Sequence, residues 1–116
     1  MSKLEVLDES RERGAHNPFV IDLISMVGDN QVELLILEAR PWNDANVYTL
    51  EEKINNYLDY VLDGHLIAQY PQAKDRSIAL KVKCKEEPHG NTEKLFQALE
   101  GYFAQIGWKL IIDIEK

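Results

Sequence analysis

Ser77-Ile-Ala-Leu-Lys-Val-Lys-Cys-Lys85 alternates apolar and polar side chains almost without a break. Ile78, Leu80, Val82 and Cys84 leave one side, and Lys81, Lys83 and Lys85 the other. Successive side chains of a strand point to opposite faces, so the pattern predicts a half-buried strand with one core face and one wet face.

Upstream lie two further β-rich runs, Phe19-Val-Ile-Asp-Leu-Ile-Ser-Met-Val27 and Gln31-Val-Glu-Leu-Leu-Ile-Leu-Glu-Ala39, joined by Gly28-Asp29-Asn30. A short Gly/Asn loop between such runs predicts a hairpin. Both runs carry apolar residues on both faces, which implies cover on both sides of the sheet. We group Ile24, Met26, Leu35 and Leu37 as an outer-face patch, with Ile111 beside it, and read it as a two-fold homodimer interface. The alternative cover is the N-terminal arm.

Arg40 to Asn46 reads as a loop, and Trp42 within it as a plug for the open end of the core or a partner contact. A helix is expected from Thr49, because Thr49 and Glu52 have the spacing of a capping box. Leu50, Ile54, Tyr57, Leu58 and Val61 fall on one face at helical spacing, and Gly64 is placed to end the helix. A second helix is capped by Asn91 or Thr92, buries Leu95, Phe96, Leu99, Tyr102, Phe103 and Ile106, and ends at Gly107. Gly101 lies mid-helix on its outer face. Trp108 to Ile114 reads as the last strand.

The expected fold is therefore α+β, a two-layer sandwich in the order β-β-α-β-α-β. A four-stranded sheet, mixed if the β-α-β crossovers join neighbours, carries two helices on one face. The chain has 116 residues, enough for one domain with its own core. We divide it into a charged arm over residues 1–18 and a domain over 19–116.

Twenty acidic residues against 13 basic ones give a net charge of −7, which disfavours nucleic acid as a partner. No apolar run approaches membrane-spanning or signal-peptide length, so a cytoplasmic protein without membrane contact is expected. The single cysteine, Cys84, excludes an internal disulfide and reads as a small buried hydrophobe.

The sequence points to no metal and no cofactor. His16, His65 and His89 share no ligand spacing, and there is no phosphate-cradling glycine loop and no nucleophile motif. Asp22, Glu33 and Glu38 on neighbouring strands form a carboxylate group that we read as a solvated face. Glu51, Glu52, Asp59 and Asp63 cluster on the first helix opposite its apolar stripe. Asp59 and Asp63 sit near the helix C-terminus, where negative charge is disfavoured, so the face is a candidate for a basic protein partner. Tyr48, Tyr57, His65 and Tyr70 are the alternative, a pocket for a small molecule or substrate.

Three segments carry a family likeness: Phe19-Val-Ile-Asp-Leu-Ile24, Lys53-Ile-Asn-Asn-Tyr-Leu58, and Gly64-His-Leu66 with Tyr70-Pro-Gln-Ala73 before the lysine strand. With these the chain resembles a family of small bacterial proteins catalogued as a domain of unknown function, over residues 19–115. The resemblance implies no activity and no catalytic residue. The residues themselves favour a non-catalytic protein-interaction module, of which an immunity-type or antitoxin-like protein is the sharper version, over a ligand-binding protein or enzyme.

Overall fold

The computed structural model of the protein describes Gly14 and residues 21–115. Apart from Gly14, the expected arm and its boundary at residue 19 lie outside the described residues, as does His16. The elements are β1 (Leu23–Val27), β2 (Gln31–Glu38), α1 (Asp44–Leu62), α2 (His65–Gln69), a 3-10 turn (Pro71–Ala73), β3 (Ser77–Cys84), α3 (Asn91–Ile106) and β4 (Lys109–Ile114). The sheet order is β1-β2-β3-β4. β1 pairs antiparallel with β2, and β2, β3 and β4 run parallel. The fold is thus α+β with a mixed four-stranded sheet. The chain steps from β2 to β3 to β4 in one direction. Crossovers of a single hand then place α1 and α3 on the same face.

The core lies between that face and the helices. Val32, Leu34 and Ile36 of β2 and Leu80, Val82 and Cys84 of β3 are buried there against Leu50, Ile54, Tyr57 and Phe103. The lysine strand behaves as its alternation dictates. Lys81 and Lys83 lie on the other face, where Lys81 Nζ is 3.5 Å from Glu33 and 3.7 Å from Asp113.

Two local expectations are corrected. First, α1 begins at Asp44, not Thr49. Asn43 is the cap, its side chain accepting from the Asn46 N–H at 2.9 Å. Trp42 before the cap and Val47 four residues after it are both buried, the arrangement of a hydrophobic staple, and Asp44 adds negative charge at the positive helix end. This start outcompetes Thr49, whose hydroxyl donates to the Ala45 carbonyl inside the helix. Second, α3 is capped by Gly90 at φ 58°, not by Asn91 or Thr92. The Asn91 amide instead donates to Asp44 across to α1, and Thr92 is buried.

The outer-face patch is also corrected. Val27 pairs with Gln31 across a three-residue turn, so Ile24 faces with Leu34 and Met26 with Val32. Ile24 and Met26 therefore pack against the core, while Leu35 lies on the other face with Leu23, and Leu37 with Lys83. The loop length sets this parity, and an odd shift would have swapped the faces. Ile24, Met26, Leu35 and Leu37 do not form one surface. Ile111 is on the outer face, paired with Lys81. Gly101 is exposed, and nothing in the structure explains a glycine there.

Candidate functional site

The densest polar constellation is buried beneath α1. Asp22 sits in the apolar run just before β1, and Lys53 sits on the apolar stripe of α1, three residues after Leu50 and four before Tyr57. Both side chains are fully buried, and Lys53 Nζ lies 2.6 Å from Asp22 Oδ1. The same amine donates to the Gly14 carbonyl at 2.6 Å, and the Gly14 N–H donates to Asp22 Oδ1 at 2.6 Å. The charge pair thus grips both backbone groups of one residue. Gly14 holds φ 132°, a region that side-chain-bearing residues rarely adopt.

Tyr57 completes the group. Its hydroxyl accepts from the Asp22 N–H and donates to the Leu35 carbonyl, both at 2.9 Å. Asp22 Oδ2 accepts from the Leu37 N–H at 2.9 Å. Side chains therefore take over the β1–β2 ladder where the two strands part. Glu38, also buried, is held by the Arg40 guanidinium through two 2.9 Å contacts. So Asp22, Glu33 and Glu38 are not a solvated carboxylate face. Asp22 and Glu38 are buried with a cation each, because an unpaired buried charge is costly, and Glu33 lies on the outer face near Lys81.

Burial pushes the Lys53 amine below its usual range, against the opposing pull of Asp22. Burial, reinforced by the Asp22 charge, pushes the Tyr57 phenol well up. Burial pushes Tyr60 up to about 12, with Tyr70 adding to it. For Tyr57 and Tyr60 the folded chain holds the proton longer than the unfolded chain. Their contribution to stability is complete below pH 10 and is lost as pH rises through the folded values. Lys53 acts oppositely below pH 10.5, where the unfolded chain holds the extra proton. We predict that denaturant midpoints fall steadily above about pH 10, and that Tyr60→Phe flattens the fall. Phenolate absorbance checks this, since the full signal of all 5 tyrosines should develop only as the protein unfolds. A complete phenolate signal from native protein at about pH 11 would contradict the burial of these two phenols.

The other candidates are placed as follows. Trp42 is buried, its indole N–H donating to the Glu86 carbonyl at 2.8 Å and its ring edge-on to Phe96 at 5.8 Å. It plugs the core and offers no free partner surface. Tyr48, Tyr57, His65 and Tyr70 do not converge. Tyr48 is 76% exposed on the outside of α1, Tyr57 is 1% exposed, and His65 stacks on Tyr60 at 6.2 Å. Tyr70 is half-buried past the end of α2. Cys84 is buried, and burial raises its thiol pKa, with Asp113 and Glu38 adding to the rise.

Three of the four carboxylates of the acidic face, Glu51, Glu52 and Asp59, share one groove. Tyr48, Glu51, Glu52, Asn55, Asn56 and Asp59 line an open groove of about 450 Å³ along the outside of α1. Asp63 lies beyond it, as the C-terminal cap of the helix. On the far side of the Asn55–Asp59 ridge, a second groove of about 440 Å³ runs between α1 and α3. Leu58, Leu62, Ala98, Leu99 and Tyr102 line it. The only lysine or arginine of α1 is Lys53, which the buried pair removes from this surface. Among the described residues, no cluster of three or more His, Cys, Asp or Glu is arranged to hold a metal, and no helix is long and apolar enough to cross a membrane.

Fold and site together define a small α+β domain that carries a buried Asp–Lys–Tyr group under one helix and an acidic groove on the outside of that helix. The chain belongs to a family of unknown function, DUF6572, which it matches over residues 15–116. No curated protein and no solved structure matches the chain. Two segments of the family likeness noted in the sequence, Val20-Ile-Asp22 and Lys53 to Leu58, supply the Asp22, Lys53 and Tyr57 of the buried group.

Proposed function

We propose that this chain is a non-catalytic, cytoplasmic protein-interaction module that receives a basic protein partner on the outer stripe of α1. One observation carries the reading. Glu51, Glu52 and Asp59 share a groove with the exposed ring of Tyr48, while the one base of the helix is buried beneath them. An all-acidic stripe raises the encounter rate with a cationic surface and selects against acidic ones. Tyrosine at its edge is a residue type enriched among binding hot spots.

The test is a charge-reversal comparison at constant net charge, read by NMR titration with an unstructured lysine-rich peptide. Glu51→Lys with Asp59→Lys should weaken binding by about tenfold at low salt, and the wild-type amide shifts should centre on residues 48–59. Asp29→Lys with Asp75→Lys makes the same change in net charge away from α1 and should leave binding near wild type. Equal losses in both pairs would reduce the effect to net charge and remove the stripe as a site.

A further inference from the structure

We infer that the groove between α1 and α3 seats a cationic amphipathic helix, whose apolar side lies on Leu58, Leu62, Leu99 and Tyr102 and whose basic side reaches the acidic stripe. This rests on the stripe reading above and names the shape of the partner. The two grooves share Asn55 and Asp59, so apolar floor and acidic wall meet along one ridge. Leu62 is 58% exposed and Tyr102 42%, an apolar pair left open in the groove. Along α1 the groove runs from Asn55 to Leu62, a rise of about 10 Å or two helical turns, and the acidic stripe continues one turn further, to Glu51 and Glu52. A helix laid in a groove anchors through residues at i, i+3 or i+4, and i+7. Its flanking positions then fall over Glu51, Glu52 and Asp59. Charge decides the occupant. A second copy docking by a two-fold would bring the same acids face to face, which opposes association.

The experiment uses the full chain and two synthetic peptides of about 18 residues, identical in leucine, lysine and alanine content. One places leucine at helical spacing, and the other scatters it. The amphipathic peptide should bind at least about tenfold tighter and become helical on binding. Leu62→Ser with Tyr102→Ser, both at exposed positions, should abolish that preference and leave the scattered peptide unchanged. Equal binding of the two peptides, with shifts on residues 48–59, would overturn the groove and keep the acidic stripe. Failure of both peptides to bind would overturn the stripe as well. A preference that survives the Leu62 and Tyr102 changes would overturn the location. Groove resonances that move with protein concentration alone, or on adding a peptide of residues 1–13, would make the chain itself the occupant and overturn the proposal.

Discussion

Replacing Lys53 with methionine is expected to lower the unfolding free energy by about 3–5 kcal/mol, although methionine matches the length and apolar stem of lysine. The reason is the group left behind. Asp22 keeps the Gly14 and Leu37 N–H donors but loses its only cation among the described residues, in a site with no measurable solvent exposure. Breaking one half of a buried pair costs far more than removing both, because the surviving charge is stranded. Asp22→Asn in the Lys53→Met background should therefore restore about half of the loss or more, so that the double variant loses clearly less than the sum of the two single changes in a double-mutant cycle. Urea unfolding of the four proteins measures it. Additive losses would mean that Asp22 and Lys53 do not act as a pair. A Lys53→Met protein within about 1 kcal/mol of wild type would show that the amine is solvated in solution.

The same residues show what the sequence makes legible. Period-two alternation at residues 77–85 and the 3.6-residue stripe from Leu50 to Val61 are local and fix sheet and helix. Each reports which side of an element is wet, and together they yield the layers. The acidic stripe is legible for the same reason, since its spacing is that of the helix. What failed was non-local or finely balanced. β1 is apolar on both faces, so only the turn length decides that Ile24 and Met26 face inward, and a loop of one residue more or less reverses it. At α1, two capping signals compete, and the winner is set by Trp42, which packs on Phe96 from another element. The buried charge group is not legible locally, because Asp22 and Lys53 lie 31 residues apart and charged residues by default belong to solvent. A signal was present even so. Lys53 interrupts the apolar stripe at a position flanked by Leu50 and Tyr57, and Asp22 interrupts the apolar run that leads into β1. Two opposite charges, each placed where its own periodicity demands a hydrophobe, predict one another.

Tyr57→Phe removes a single oxygen and is expected to cost about 2–3 kcal/mol. The ring remains, so the core keeps its volume, and Lys53 stays 5.9 Å from the ring centre. The loss falls on the backbone. The hydroxyl bridges the Asp22 N–H and the Leu35 carbonyl, a donor on one strand segment and an acceptor on the other. The bond to Asp22 is buried, and the bond to Leu35 is partly buried. Leaving a buried donor and a partly buried acceptor without their partner costs more than the net worth of the bonds themselves. Tyr60→Phe is the control. Its hydroxyl bonds to Gln69, an exposed side chain that turns to solvent when released, so its loss should stay near 1 kcal/mol or below. Hydrogen exchange adds the site-specific readout. In Tyr57→Phe the amides of Asp22 and Leu37 should exchange faster while those of β3 hold their protection, because the change opens the β1–β2 junction before the sheet. If the two tyrosine variants lose the same stability, or if protection falls evenly over all four strands, the hydroxyl is not the tie between β1 and β2 that the structure shows.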